Sequence, residues 1–326
     1  MRDIASLFRK LLGLPQPDPQ PHVFVPPDNA WDPSSLRDAL HTWKLHEYAD
    51  ELLAMSRFAF ALHAERVTQH SLAQDAPRLG GLPDLPAAHT WPVWRGRSMN
   101  FIAQIDLQNL AKLAPDNPLP HTGSLCFWYD LMDMPWESCK RDAGGFLVQH
   151  IPAPIDELRR RALPNDYYFQ DDAKHGTKTY TPCRLDVKVV SSLPEFADEY
   201  LDARWIRNEH IEQFETFLRA FRRRVLSPEP RSHQLLGHPW LIQGSMHEDI
   251  AMSEWRRQPE NANASAYQPR EVTESLAAEW RLLAQFDTDP ATGFEWGDSG
   301  TIYYFIRHDD LAAGRFDRVR GKLECY

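Results

Sequence analysis

Cysteine is scarce and scattered: Cys126, Cys139, Cys183 and Cys325 are the four among 326 residues, and no two form a CxxC pair. That spacing excludes a zinc knuckle and a disulfide-stapled secreted scaffold. No apolar run reaches the 18 or so residues that a membrane helix needs. The opening MRDIASLFRKLLGLPQ splits its apolar stretch with Arg9 and Lys10 and shows no small-residue cleavage site, so it does not read as a signal peptide. Neither a Walker A loop nor a dinucleotide-binding glycine motif occurs, and His46-Glu47 and His247-Glu248 do not extend to HExxH. Positive charge is also short, with 36 Lys+Arg against 46 Asp+Glu and a net charge of −10. Such a surface disfavours phosphate backbones and anionic lipid and favours a basic partner. The expectation is a cytoplasmic protein with no integral membrane segment, no nucleic-acid ligand, no cofactor, no metal and no catalysis.

What is present is ordinary for a globular chain, 42% hydrophobic and 25% charged. Residues 1–14 place Ile4, Leu7, Phe8, Leu11 and Leu12 on one helical face, and Pro15, Pro17, Pro19, Pro21, Pro26 and Pro27 follow as an extended spacer. Residues 1–30 are therefore separable from a main domain at 31–326. From Pro33, Leu36, Leu40 and Trp43 share a face, and the pattern continues through Leu52, Met55, Ala59 and Leu62, which predicts helix over about 34–69. A second helix is predicted over about 192–226. It has a capping box from Ser192 to Glu195, Phe214, Phe217 and Phe221 at helical spacing, and a solvated last turn of Arg219, Arg222, Arg223 and Arg224. The histidine pairs His41/His46 and His233/His238 are five apart, which does not stack two ligands on one helical face.

Two segments resemble each other. NFIAQIDL at 100–107 and RLLAQFDT at 281–288 align Gln104 with Gln285 and Asp106 with Asp287. Each precedes a glycine-led aromatic strand (GSLCFWYDL; GTIYYFIRHDDL) and follows a glycine-proline turn (LGGLPDLP; LLGHPWLIQG). Three matching blocks in one order predict an α+β fold with two similar antiparallel β units, about 77–190 and 229–326, from an internal duplication and flanked by helices. GDSG at 297–300 then reads as a turn feeding a strand, with Gly297 and Gly300 supplying positive φ, rather than as the surroundings of a serine nucleophile.

Taken together, RLGGLPDLP, Trp91-Pro92, FIAQIDL, LLGHPWLIQGSM, EWRLLAQFDTD, WGDSGTIYYFI and DLAAGRFDRV resemble the YwqG-like bacterial family of unknown function, from about residue 77 to 323. The resemblance implies a mixed α+β fold and supplies no catalytic residues. Some members look like immunity proteins of secreted bacterial toxins. It therefore implies an immunity protein that binds and neutralises a cognate toxin without chemistry, and the net charge of −10 points to a basic toxin such as a nuclease. The alternative is an enzyme or small-ligand sensor using a cleft between the two β units. The chain departs from the family before residue 70 and in a polar loop at about 247–275, where Glu248, Asp249, Glu254 and Trp255 are the candidate partner-binding residues.

Overall fold

The computed structural model describes residues 33–74, 76–136, 141–169, 179–195, 206–225, 233–261 and 268–326. Expectations for residues 1–30 lie outside them. The main body is one ten-stranded antiparallel sheet. Its strands are β1 (Arg57–Arg66), β2 (Arg78–Leu79), β6 (Asn100–Asp106), β7 (Ser124–Tyr129), β8 (Phe146–Ile151), β10 (Cys183–Ser192), β11 (His233–Leu236), β12 (Trp280–Asp287), β13 (Thr301–Arg307) and β14 (Arg320–Glu324). Two small pairs stand outside it, β3 (Asp84–Pro86) with β9 (Leu158–Arg160) and β4 (Val93–Trp94) with β5 (Arg97–Ser98). The described helices are α1 (Pro33–Thr42), α2 (Ala49–Met55), α3 (Leu107–Leu113), α4 (Ile211–Val225), α5 (Met246–Arg257), α6 (Arg270–Ala277) and α7 (His308–Ala312).

The strand order is β14-β13-β12-β11-β1-β10-β2-β6-β7-β8. The segments expected to form two β units lie in the two halves of one continuous sheet, on either side of β1. Each half carries an irregularity at the same place. The β6–β7 register shifts between Phe101 and Ala103, and the β12–β13 register shifts between Leu282 and Ala284. A bulge increases local twist and bends its strand. The sheet curls until its two edges meet: β8 packs against β14, and the Leu323 N–H donates to Trp136 O at 2.7 Å.

The inside of the curl is aromatic. Phe127 meets Phe286 and Tyr304 with ring centroids 5.1 and 5.2 Å apart, and the buried Tyr304 hydroxyl donates to Trp128 O at 3.1 Å. On the central strands, Phe60 and Leu62 face this core while Ala59 and Ala61 face outward, where the small side chains let helices approach. Helix α4 lays Phe214, Phe217, Leu218 and Phe221 on that outer face beside Leu36, Leu40 and Trp43, at i, i+3, i+4 and i+7. Burying each of these large side chains contributes about 1.5–3 kcal/mol. Outside the other two thirds, Phe101 and Trp128 pack under Trp91 and Trp94, and Leu282 and Phe305 pack under α5 and α6.

Two helix expectations need correction. The helix predicted over 34–69 stops at Met55, because Ser56 turns extended (ψ 142°) and Arg57–Arg66 forms β1. Ala59 and Leu62 fit a helical spacing by coincidence. The strand is apolar on both faces because it is covered on both, and periodicity does not separate such a strand from a helix. Ser192 ends β10 instead of capping a helix, so the helical part described in that region starts at Ile211. The polar loop at about 247–275 is largely the two helices α5 and α6.

A clamped loop and an open cleft as the candidate binding site

The two segments that carry Gln104 and Gln285 each hold down a loop. Gln104 is buried on β6; its Oε1 accepts from Asp84 N–H at 2.8 Å, and its Nε2 donates to Asp84 O at 2.9 Å and to Ser124 Oγ at 3.1 Å. Gln285, equally buried on β12, accepts through Oε1 from Trp240 N–H at 2.9 Å. Arg78 and Gln104 are register partners in one half, as Gln234 and Gln285 are in the other. Beyond each, the chain kinks through two residues with positive φ, Gly80 and Gly81 (63° and 67°) or Leu236 and Gly237 (59° and 73°). The second kink tolerates only glycine at 237, where an added Cβ would stand 2.7 Å from Ala59 Cβ.

The two loops then part in chemistry. In the first, Asp84 is fully buried between Arg78 at 2.5 Å and Arg160 at 2.6 Å. Burial pulls the Arg78 guanidinium below its ordinary value against the pull of Asp84. Such a closed ion triad fixes geometry rather than exposing reactive groups. In the second, the position of Asp84 is taken by Trp240. Its carbonyl accepts from the Tyr303 hydroxyl, and the next backbone groups, Ile242 and Gln243 N–H, donate to Glu324 Oε2 at 3.1 Å each. The Trp240 side chain is not used by these bonds. It lies under the Arg222 guanidinium, 4.8 Å from the ring centre.

Arg222 corrects the reading of the arginine-rich end of α4 as a solvated turn. It is 3% exposed, bonded to Glu195 at 2.6 Å and to the carbonyls of Pro239 and Leu193 at 2.9 and 3.3 Å. Arg219, three residues earlier, remains on the surface beside Glu215. Between α4 and the clamped loop an open cleft of about 280 Å³ is lined by Leu218, Leu241, Trp240, Glu195, Glu215, Arg219 and Arg222. It combines an apolar floor with charges of both signs at the rim.

The candidate partner-binding residues fall elsewhere, on and around α5. Glu254 takes Arg320 with both carboxylate oxygens, at 2.7 and 3.0 Å, and Asp249 pairs with Lys322. Burial alone would raise the Glu254 carboxyl; Arg320, with Arg257 and Arg307, outweighs it and holds the group below the usual carboxylate range. Both acids thus bind α5 to the edge strand β14. Glu248 and Trp255 are partly exposed on the same helix. Asp106 caps α3, accepting from Gln108 and Asn109 N–H, while Asp287 accepts from Thr301 Oγ at 2.9 Å. In GDSG, positive φ belongs to Gly297 (62°) and Ser299 (53°) rather than to Gly300. Gly300 is needed for a different reason: an added Cβ would lie 2.1 Å from Glu324 O. Ser299 is exposed, and its N–H donates to Glu295, which fits the turn reading.

His233 and two of the cysteines are occupied structurally. His233 is buried with Nδ1 accepting from Asp287 N–H at 3.1 Å, so Nε2 carries the proton it donates to Asp289 at 3.2 Å. Neither ring nitrogen is left to work on a substrate. Cys126 and Cys183 are free thiols, each pushed up to about 12, chiefly by burial.

The fold and the clamped loops define an α+β protein built on a curled antiparallel sheet. The chain belongs to the family described as Domain of unknown function (DUF1963), whose pattern covers residues 77–325. No curated protein matches the chain. The sequence reading missed Trp240, Arg222 and Glu195 as one site. The signal was available: PW inside LLGHPWLIQG sits at the position of PD inside LGGLPDLP, a polar-to-aromatic exchange at a clamped position.

Proposed function

We propose that the protein works by binding a protein partner, and that the partner is a cognate toxin it neutralises without chemistry, as its YwqG-like resemblance implies, the toxin being basic on the ground of the chain's acidic charge. The observation that carries the reading is the cleft beside Trp240. At about 280 Å³ it falls just under the roughly 300–1,000 Å³ of small-molecule pockets and suits one long side chain. An inserted Lys or Arg would lay its stem on Trp240, Leu218 and Leu241 and its head against Glu215. The Glu215–Arg219 contact is 3.9 Å long at the rim. Aromatic residues in a rimmed pocket are where interface energy concentrates, and the net charge of −10 would speed capture of a basic protein.

The two halves are, in the same reading, products of an internal duplication. The matched bulges, kinks and glutamine clamps support it. One copy then closed its loop with the Arg78–Asp84–Arg160 triad while the other kept an open cleft. The inner faces of the halves are filled by Phe127, Phe286 and Tyr304, which favours a surface site over a ligand cleft between them.

The test is expression of any candidate toxin encoded by a neighbouring gene in cells with and without this protein. Restored growth and a one-to-one complex on gel filtration are expected. No rescue together with no complex would sink the reading.

A further inference from the structure

The loop that carries Trp240 is tied across the outer face of the sheet to the end of β14. Ile242 and Gln243 N–H both donate to Glu324 Oε2 at 3.1 Å, and Gln243 Nε2 donates to Cys325 O at 2.7 Å. Along β14, Arg320, Lys322 and Glu324 reach Glu254, Asp249 and this loop on the outer face, whereas Leu323 and Cys325 join the inner core. Continued by one residue, the same alternation puts Tyr326 on the outer face. Its backbone is held there, the N–H donating to Asp298 O at 3.1 Å.

Leu241, which lines the Trp240 cleft, immediately precedes Ile242, and Tyr326 immediately follows Cys325. The two bonded pairs therefore bring the cleft and Tyr326 onto one stretch of surface. Glu195 belongs to the same stretch: it lines the cleft and accepts from Leu241 N–H at 3.3 Å. Partial burial, and then the carboxylates of Asp287 and Glu195, push the Tyr326 hydroxyl above its ordinary value. Yet Tyr326 is 64% exposed, more than any other large apolar or aromatic residue described. A ring presented from a fixed backbone offers contact area at little entropic cost. Asp298 and Glu295 are both exposed at the adjoining turn, where Glu295 accepts from Ser299 N–H, and they give this end of the surface an acidic rim.

We propose that Tyr326 is the second anchor of the surface that begins at the Trp240 cleft, and that it stacks under a second Lys or Arg of the same basic partner segment whose first basic side chain enters the cleft. This rests on the cleft reading given above. Charge complementarity selects the occupant: an aromatic face beside carboxylates attracts a cation, and the aliphatic stem of Lys or Arg covers the ring. Two anchors narrow the partner to a segment that carries at least two basic side chains.

Calorimetry on the full-length protein tests it, with hexa-arginine as the probe and hexa-glutamate as the charge control, at one ionic strength. Hexa-arginine should bind saturably and hexa-glutamate should not. Tyr326→Ala should weaken binding about tenfold, the size of a partly desolvated cation–π contact. Tyr326→Phe keeps the ring and should bind nearly as the wild type does, while Tyr326→Lys, a long side chain that repels the cation, should bind more weakly than Tyr326→Ala. Tyr168→Ala, which removes a partly exposed tyrosine elsewhere, should change nothing. Weakening by Trp240→Ala with none by Tyr326→Ala or Tyr326→Lys would overturn the second anchor and leave the cleft reading standing. Weakening by Tyr326→Ala with none by Trp240→Ala would overturn the shared surface. No saturable binding of hexa-arginine, or equally tight binding of hexa-glutamate, would overturn both the anchor and the cleft reading.

Discussion

Gly321 of β14 lies so close to the ring of Phe146 on β8 that an added Cβ would stand 2.0 Å from Phe146 Cγ. Here the two edges of the sheet meet, and the absence of a side chain on one strand admits the aromatic ring of the other. Gly321→Ala should therefore destabilise the protein by about 1–3 kcal/mol, the usual cost of overpacking. Pairing it with Phe146→Val should recover part of that loss, because the contact is direct. Urea denaturation of the two single variants and the double variant gives the coupling; strictly additive losses would show that the edges do not touch there.

Gln104 and Gln285 each tie a loop backbone to the sheet from a fully buried position. Replacing either by Ala leaves a buried N–H without an acceptor, a cost of about 1–3 kcal/mol. Gln104→Ala also frees Asp84 O. If Gln285→Ala unfolds at the same denaturant concentration as the wild type, the clamp carries no weight.

These two pairs also mark how far the sequence could be read. The alternation around Ala103-Gln104 and Ala284-Gln285 was enough to place both as strands, and β6 and β12 are where the spacing puts them. The ladder joining the halves was not legible. β1 looked helical because Phe60 and Ala59 are both buried, on opposite faces, and a strand covered on both sides has no polar beat. The cleft was hidden for a different reason. Arg222 and Glu195 are 27 residues apart and meet Trp240 only after α4 docks on the central strands, so no local spacing encodes them.

Ser299 tests the reading of GDSG as a turn. With φ at 53° it occupies a conformation that glycine adopts more readily. Ser299→Gly should leave stability unchanged or raise it by up to about 1 kcal/mol, and a fluorophosphonate should not label the wild-type residue. Labelling at Ser299, read by mass spectrometry, would make it a nucleophile after all.

The Glu254–Arg320 pair sets a pH dependence. Because the folded carboxyl is held below its unfolded value, the pair stabilises the protein above about pH 4.5, the ordinary glutamate range. That stability is lost as pH falls through the lower folded value. Glu254→Gln should cost about 1–2 kcal/mol at pH 7, as for a charge-assisted hydrogen bond partly open to water, and less at acid pH. Melting curves between pH 3 and 7 decide it. A difference between variant and wild type that grows toward acid pH would contradict the assignment.

Trp240 offers the sharpest separation of binding from folding. Its N–H and C=O, held by Gln285 and Tyr303, are the groups that fix the loop, and both survive in Trp240→Ala. What the substitution removes is the indole that lines the cleft with Leu218 and Leu241 and lies under the Arg222 guanidinium. The Arg222 bonds to Glu195, Pro239 and Leu193 do not involve the indole, so the buried charge keeps its partners. Stability should fall by only about 1–2 kcal/mol, mostly the lost cation–π contact and apolar cover. Partner affinity should fall far more, about 2 kcal/mol or beyond, as expected for an aromatic anchor in a rimmed pocket, which is at least 30-fold in the dissociation constant. Gln285→Ala provides the contrast, since it loosens the loop and should weaken folding and binding together. The measurement is a titration of each variant with the partner that the proposed function assigns, a candidate toxin, beside a melting curve of each. A Trp240→Ala protein that binds as tightly as the wild type would move the contact surface away from the cleft, and the exposed part of α5 around Glu248 and Trp255 would then be the next place to substitute.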